Sequence, residues 1–444
     1  MKIRFVTLGC KLNFAESSAI GKALLQRGHT RAKQGEEADI CVINTCSVTD
    51  NADHKDRQTI HRIHRQNPNA IIIVTGCYAQ LQPEQIAQIE GVDYVLGQNE
   101  KYSITQLVNE LCDSLEDGVP PTERPTGYSL EAQKIRVANI REVEEFHGAY
   151  SKDDRTRCFL KVQDGCNYFC TYCTIPYARG KSRNPAISDI IKDAQEAIAQ
   201  GAKEIILTGV NIGDFGRSTG ETFLELLRAL DRLEAKGERR EGDETKGMDY
   251  RIRISSCEPN LLTDEIIDFV AHSKHFAPHF HIPLQSGSNE VLSIMKRRYT
   301  RELFEERVKH IKQAMPHAFI GVDCMVGVRG ETEECFNDYV EFIKRLDVSQ
   351  LHVFTYSERA NTRMLELDIC VVPKAERQRR SKILHEISEE KTQTFYANQV
   401  GRQAIVLWES KKEGDQMAGF TENYVKVYRP YDKEKVNTFE VVRL

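Results

Sequence analysis

No apolar run in this chain approaches the roughly 20 residues that a membrane-spanning helix needs; Ile71–Val74 is typical of those present. No membrane partner is therefore expected. The first ten residues, Met1 to Cys10, superficially look like a lipoprotein signal ending in cysteine. Their apolar stretch is too short for that and reads better as a first β-strand. In the absence of a signal a cytoplasmic location is expected. There the 13 cysteines face a reducing medium, and metal or catalytic roles outweigh disulfides. An excess of one charge is also missing, since 61 Lys and Arg against 66 Asp and Glu leave a net charge of −5. The whole protein is thus no nonspecific polyanion binder, and any RNA contact must come from local basic patches. Lys374–Lys382 is the densest, with a solvated helix face as its plain alternative. A composition of 40% hydrophobic and 29% charged residues is that of a soluble globular protein, and 444 residues suggest two to four domains.

What the chain does have is Cys166-Asn167-Tyr168-Phe169-Cys170-Thr171-Tyr172-Cys173, a CxxxCxxC cluster. Thiolates are soft ligands, and three within one short loop suit three irons of a [4Fe–4S] cluster. The fourth iron is then left open to chelate a small molecule and pass it an electron. Zinc is the alternative metal. Structural zinc prefers two ligand pairs closing a tetrahedron, and no second CxxC or HxxxH lies nearby.

The N-terminal segment alternates short apolar runs with helical patterns. Ile3–Leu8, Asp39–Asn44 and Ile71–Thr75 read as buried strands, and Glu16–Arg27, Asp50–Gln66 and Pro83–Glu90 as helices between them. Such alternation predicts a parallel, doubly wound α/β sheet. Cys10, Cys46 and Cys77 each lie within two residues after a predicted strand, so one crevice at the strand ends would collect them. The plain alternative is three small core residues, since free cysteine is often buried. The stretch Asp113–Lys134 reads as a linker.

From Arg157 the alternation resumes. Cys158–Gln163, Glu204–Thr208, Arg251–Ser255, His279–Ile282, Ala318–Met325 and Leu351–Thr355 are six strand candidates. Helical patterns over Ser188–Gln200, Thr222–Leu233, Leu262–Ala271, Arg301–Ala314 and Glu333–Arg345 separate most of them. Ala235–Asp249 reads as a charged surface loop. The pattern alone allows either an incomplete six-unit parallel barrel or an open sheet. Pro373–Gln399 reads as a connecting helix, with Pro373 at its first position. Arg402–Trp408, Asn423–Tyr428 and Thr438–Leu444 form a short β-rich end.

The three N-terminal cysteines sit in Gly9-Cys10-Lys11-Leu12-Asn13, Asn44-Thr45-Cys46-Ser47-Val48-Thr49 and Thr75-Gly76-Cys77-Tyr78-Ala79-Gln80. The central CxxxCxxC spacing is similar to the signature of the radical S-adenosylmethionine (SAM) superfamily. With the three N-terminal motifs in this order, the chain resembles the methylthiotransferase family over nearly its whole length. The resemblance implies five segments. They are an N-terminal methylthiotransferase domain over 1–115, a linker over 116–150, a partial (β/α)6 radical SAM barrel over 151–372, a connecting helix over 373–399, and a small β-barrel over 400–444 that resembles the tRNA-binding TRAM domain. The plain alternative for the last is a structural cap.

The resemblance also implies two [4Fe–4S] clusters, on Cys166/Cys170/Cys173 and on Cys10/Cys46/Cys77, with SAM on the open iron of the first. Residues after the barrel strands would line the SAM pocket. Thr208, Gly209 and Asn211 follow the second strand, where relatives hold the methionyl amino group; Gly209 also suits a strand-to-helix turn. Ser255, Ser256 and Glu258 end the third strand and are polar enough for the ribose and carboxylate, or for a helix cap. Gln285 follows the fourth strand, in His281-Ile282-Pro283-Leu284-Gln285-Ser286-Gly287-Ser288, and Val326 and Gly327 end the fifth. Relatives usually have Phe-Pro where this chain has Val328-Arg329. Tyr172 is the expected aromatic neighbour of the adenine. Cys257 reads as a core residue, and His275, His279 and His281 as strand and loop rather than metal ligands. Arg179, Lys181 and Arg183 suit either RNA phosphates or neighbouring carboxylates.

The implied reaction cleaves SAM by one electron to a 5′-deoxyadenosyl radical, which takes an unactivated hydrogen that no general base can remove. Sulfur then comes, methylated by a second SAM, from the N-terminal cluster. Lys11 after Cys10 and Gly419–Val425 resemble the branch acting on N6-threonylcarbamoyladenosine (t6A) at position 37, in the anticodon loop of tRNA. That base lies in a single-stranded loop from which it can be splayed into a pocket. The alternatives are isopentenyladenosine-37 tRNA, an Asp of ribosomal protein S12, or a noncatalytic iron–sulfur RNA-binding or redox-sensing protein. An electron donor such as flavodoxin or ferredoxin is expected, and the sulfur donor is left open.

Overall fold

The computed structural model describes residues 1–33, 35–116, 134–151, 156–233 and 249–444. The chain divides into two compact units. The first comprises Met1–Ser151, Gly165–Asn167 and Cys173–Lys181, and the second Lys152–Asp164, Tyr168–Tyr172 and Ser182–Leu444.

The first unit is a doubly wound α/β domain. Its parallel strands are β1 (Lys2–Thr7), β2 (Thr30–Arg31), β3 (Ile40–Thr45), β4 (Ile71–Gly76), β5 (Tyr94–Leu96) and β6 (Ile135–Arg136), in the order β2-β1-β3-β4-β5-β6. Central strands buried on both faces read as near-continuous apolar runs, and β3 and β4 do so up to the polar Asn44, Thr45 and Thr75 near their C-terminal ends. Cys41, Ile43, Ile72 and Val74 pack with Ile60, Ile63 and Tyr78 on one face. Ile40, Val42, Ile71 and Ile73 pack with Ile20, Leu24, Leu107 and Leu111 on the other. The strand order reverses between β1 and β3, which opens a crevice beyond their C-terminal ends.

The helix Asp50–Gln66 matches its predicted limits. The first helix differs, since it starts at Lys11 rather than Glu16 and puts Cys10 at its N-cap. The helix Ile104–Glu116 and the strands β2, β5 and β6 were not read from the sequence. β6 pairs with β5 inside the stretch read as a linker; residues 117–133 of that stretch lie outside the described residues.

The second unit begins with six parallel strands in sequential order. These are β7 (Arg157–Lys161), β8 (Glu204–Thr208), β9 (Arg251–Ile254), β10 (His279–Gln285), β11 (Phe319–Val326) and β12 (Gln350–Thr355). Hydrogen-bonded ladders join β7-β8-β9 and β10-β11-β12. Two parallel bridges, Ile252 with Phe276 and Ser256 with His281, carry the order across the seam between β9 and β10. This is the partial β/α barrel expected. Threonines start its helices: Thr222, Thr263, Thr300 and Thr332 each accept an N3 backbone N–H, and Thr222 closes a full capping box with Glu225. The predicted loop Ala235–Asp249 falls almost wholly outside the described residues.

A 24-residue helix, Lys374–Ala397, follows, with Pro373 at its N-cap rather than its first position. The unit ends in a small antiparallel sheet of β13 (Gln403–Glu413), β14 (Gln416–Phe420), β15 (Lys426–Pro430) and β16 (Phe439–Arg443), ordered β15-β14-β13-β16. Such a four-stranded antiparallel sheet is consistent with a small barrel. Among the described residues no helix is long and apolar enough to cross a membrane.

Candidate functional site

In the first unit the crevice between β1, β3 and β4 gathers the N-terminal cysteines. Cys10 caps the helix Lys11–Gln26, Cys46 follows β3 directly, and Cys77 opens the short helix Cys77–Leu81. Two glycines make this approach possible. A Cβ on Gly9, whose φ is +92°, would lie 2.6 Å from Cys46 Cβ. A Cβ on Gly76, with φ +105°, would lie 2.4 Å from the Thr45 carbonyl oxygen. Neither turn admits a side chain.

The thiols lie near enough to act on one another. Burial first, then Cys77 and Cys10, push the Cys46 thiol up. Burial also raises Cys77, while the nearby Arg179 and Lys101 pull it down. Gln98 donates to Cys77 Sγ at 3.1 Å, and the Cys46 backbone N–H donates to Asp56 at 2.8 Å. Asn13 ties the loops together: its amide nitrogen donates to the Leu8 and Thr45 carbonyls, both at 2.9 Å.

Beside the thiols lies a buried ion triplet. Lys101 Nζ is 2.7 Å from Glu16, and Arg179 reaches Glu16 at 3.1 Å and the Asn13 side-chain oxygen at 2.6 Å. Arg179 is therefore not offered to phosphates, and the carboxylate alternative is the one observed. Arg183, in the second unit, likewise pairs with Asp164 at 3.2 Å. Only Lys181 of the three is exposed.

In the second unit the C-terminal ends of the barrel strands form the other crevice. Cys170 is buried; burial raises its thiol and Arg297, donating to Sγ at 3.1 Å, opposes this. The same guanidinium donates to the Tyr172 hydroxyl at 3.3 Å, pairs with Glu258, and stacks on Tyr299 at 5.0 Å. Glu258 was read as a SAM contact. Its carboxyl is raised by burial and partly pulled back by Arg297. Arg297 itself was not singled out. Its signal was weak, being one cation among three in Lys296-Arg297-Arg298.

Tyr172 packs among Val291, Met295, Val328, Tyr356 and Met364. Val328, which stands where relatives carry Phe, thus supplies apolar lining. Gln163, also missed, turns its side-chain oxygen to the backbone N–H of Val210 and Asn211 at 3.0 and 2.9 Å. A Cβ on Gly209 would meet the Gln163 carbonyl at 2.9 Å, so this loop closes against the end of β7. The Thr208 hydroxyl and the Gln285 side-chain oxygen are buried with no partner among the described residues. The Asn211 amide makes no hydrogen bond of ordinary geometry, although it stands close to the Tyr168 hydroxyl. Gln285 sits at φ +64°, where β10 bulges against β11. Held backbone strain and orphaned polar atoms together mark a ligand-facing loop.

Ser256, His281 and Asp323 form a hydrogen-bonded chain, with Ser256 Oγ 3.0 Å from His281 Nδ1 and His281 Nε2 2.7 Å from Asp323. Ser255 is buried beside it. His281 was read as structural, and the chain shows that it orders two polar neighbours. Val326 is buried, and Gly327 donates its N–H to Glu331 at 2.9 Å. Cys257 is a core residue as read.

The donor sets fit iron–sulfur chemistry. Among the described residues no three His, Cys, Asp or Glu side chains form a single-ion cage. A single ion needs its sulfurs in mutual contact, whereas a four-iron cube holds its thiolates further apart. Donors aimed at sulfur, Gln98 on Cys77 and Arg297 on Cys170, suit thiolate ligands of such a cube. The partnerless Thr208 and Gln285 atoms, with the Asn211 amide beside them, suit a polar ligand such as SAM.

Two family models match the chain: Uncharacterized protein family UPF0004 over residues 2–97, and the Radical SAM superfamily over residues 160–343. A relative from Bacillus subtilis named threonylcarbamoyladenosine tRNA methylthiotransferase MtaB is 37% identical over 431 residues, 96% of this chain and 89% of that protein. Its namesake from Aquifex aeolicus is 35% identical, with 98% of both chains covered. A tRNA-2-methylthio-N(6)-dimethylallyladenosine synthase from Pelotomaculum thermopropionicum is 30% identical over 94% of this chain and 88% of that one. Among solved structures, the radical SAM methyltransferase TsrM from Kitasatospora setae superposes with a TM-score of 0.56 at 16% identity, covering 79% of this chain and 72% of that one. This likeness shows the fold.

Proposed function

Because the chain belongs to the radical SAM methylthiotransferase family, we propose that it converts t6A37 of tRNA to its 2-methylthio derivative. The observation that carries the substrate is likeness along the whole chain to relatives named for t6A, at 37% and 35% identity. Dimethylallyladenosine-37 is the second reading, favoured by relatives of that name at 30% identity.

Cys166, Cys170 and Cys173 would hold one [4Fe–4S] cluster, and Cys10, Cys46 and Cys77 the other. With SAM bound, these groups supply one-electron cleavage of the sulfonium and a sulfur to transfer. The chain does the rest. Arg297 fixes the Cys170 sulfur and neutralises Glu258 in the same place. Thr208, Asn211 and Gln285 offer buried polar atoms to SAM, and Tyr172 supplies an aromatic wall for the adenine. Ser256, His281 and Asp323 orient the polar edge of the barrel mouth.

The C-terminal sheet acts as a TRAM-like surface for tRNA. Tyr428 is 48% exposed with Lys426 over its ring at 4.7 Å, and Lys412 lies over Tyr431 at 4.3 Å. Cation-bearing aromatic faces suit bases and phosphates of single-stranded RNA. In Lys374–Lys382, Arg379 and Arg380 pair with Glu333, Glu376 and Glu331, which supports the solvated helix face for that stretch. The protein works in the cytoplasm, drawing electrons from a flavodoxin- or ferredoxin-type donor.

Mass spectrometry of tRNA nucleosides from cells lacking the gene tests the reading. Loss of 2-methylthio-t6A with accumulation of t6A, restored by the gene, is expected. An unchanged t6A profile beside a lost 2-methylthio-isopentenyl signal moves the substrate to the second reading. Iron analysis tests the cofactors: about eight irons per chain, falling to about four in Cys10→Ala, fits two clusters.

A further inference from the structure

Arg179, Lys101 and Glu16 are buried in the first unit, with exposures of 1%, 0% and 1%. Burying a charge without compensation is costly, and a buried set retains only the charges its surroundings demand. Here two cations meet one carboxylate. Arg179 cannot lose its proton. Burial pulls Lys101 down, but it stays in contact with Glu16 at 2.7 Å. With Lys101 protonated against Glu16, the triplet carries one surplus positive charge in the interior.

Its position is specific. The helix Ile175–Arg179 packs on the helix that Cys77 opens. Arg179 also grips Asn13, and Asn13 bridges the Leu8 and Thr45 carbonyls, next to the turns carrying Cys10 and Cys46. Lys101 follows Gln98, the donor to Cys77 Sγ, by one turn. Three thiolates around a [4Fe–4S]2+ core carry one net negative charge, and two once the core is reduced.

We propose that the Lys101–Glu16–Arg179 triplet is the built-in counter-charge of the Cys10/Cys46/Cys77 centre, with Arg179 as its positioning residue. This rests on the reading that those cysteines hold a cluster. The surplus charge favours the more negative states of the centre, both the reduced core and the core with an anionic sulfur ligand. Losing it makes reduction harder. Across a protein interior one charge is worth about a tenfold change in the reduction equilibrium, or about 59 mV for a one-electron couple.

The test uses full-length protein in which Cys166, Cys170 and Cys173 are all alanine, so that only the N-terminal centre remains. Its midpoint potential is followed by EPR during anaerobic redox titration. Arg179→Gln leaves the Lys101–Glu16 pair closed and is expected to lower the potential by about that amount. Arg179→Lys restores it. Should Arg179→Gln not load iron, Lys101→Met leaves the Arg179–Glu16 pair closed and carries the same expectation. An iron-loaded variant whose potential is unmoved overturns the proposal, as does an equal shift in Arg179→Lys. No iron or sulfide in the parent protein instead overturns the cluster reading itself.

Discussion

Glu204→Gln is the sharpest probe of how the second unit holds its C-terminal sheet. Glu204 is fully buried at the start of β8. It pairs with Arg251, with Arg253 at 3.1 Å and with Arg157 at 3.6 Å. Those arginines then reach into the sheet. Arg251 donates to the carbonyls of Ile405 at 3.2 Å and Phe420 at 2.9 Å, Arg253 to Glu422 at 3.1 Å, and Arg157 to the Tyr424 hydroxyl at 3.1 Å. One carboxylate thus orders three cations that carry the contact. Removing it leaves Arg251 and Arg253 buried without a carboxylate, while Arg157 keeps Glu409 at 2.6 Å; such a loss costs about 3–5 kcal/mol. Glutamine keeps one acceptor oxygen, so the lower end applies.

Two compact units make a single unfolding free energy ill-defined. Hydrogen exchange of the β9 and β13 amides is the suitable assay. A loss of about 3 kcal/mol corresponds to exchange about 100-fold faster there, with the β3 and β4 amides unchanged. The pH dependence adds a sign. Burial alone would raise Glu204, but Arg251, Arg253 and Arg157 overcome it and hold the carboxyl below its ordinary value. A depressed folded pKa gives stability that is present above the unfolded pKa, about 4.3, and is lost as pH falls toward the folded one. The gap between wild type and variant is therefore widest at neutral pH and narrows below about pH 4.3. Native protection in the variant at pH 7, or a gap that widens on acidification, would refute the argument.

Arg297→Lys keeps the charge but loses the fork that spans Cys170, Tyr172 and Glu258. SAM cleavage, read as 5′-deoxyadenosine release, should fall about tenfold or more, as one charge-assisted contact of about 1.5 kcal/mol is lost, with iron content unchanged. Tyr428→Ala removes an exposed stacking face and should weaken tRNA binding by about 1–3 kcal/mol, with SAM cleavage in the absence of tRNA unaffected.

The alternation of elements was legible because β3, β4 and β8 are buried at every position, and burial on both faces writes itself as a near-continuous apolar run, interrupted only at strand ends. The limits of Asp50–Gln66, Glu204–Thr208, Arg301–Ala314 and Glu333–Arg345 follow from that patterning and from threonine caps. Short edge strands leave no such trace. β2 has two residues and β6 two, and both exist only because a neighbour offers a free edge. The helix Ile104–Glu116 was missed although Ile104, Leu107, Val108 and Leu111 have helical spacing. The apolar run stands next to a stretch whose composition reads as a linker.

The site residues divide along the same line. Cys10, Cys46, Cys77 and the CxxxCxxC loop announce themselves by position, three at strand ends and three at close spacing, where other cysteines such as Cys41 and Cys257 fall inside the core. Arg179 and Arg297 do not, since an arginine is written the same way whether it meets a phosphate, a carboxylate or a thiol. What distinguishes them is burial among partners brought from elsewhere in the chain. Glu16 is 163 residues from Arg179, and Cys170 is 127 from Arg297. A local basic cluster predicts RNA contact only while its side chains stay in water. Folding placed Arg179 and Arg183 against carboxylates, so on the proposed reading the RNA surface moves to a sheet whose lysines and tyrosines are scattered across 20 residues of sequence, from Lys412 to Tyr431. The ligands were thus readable from residue chemistry, whereas the charges that tune them became readable only from the fold.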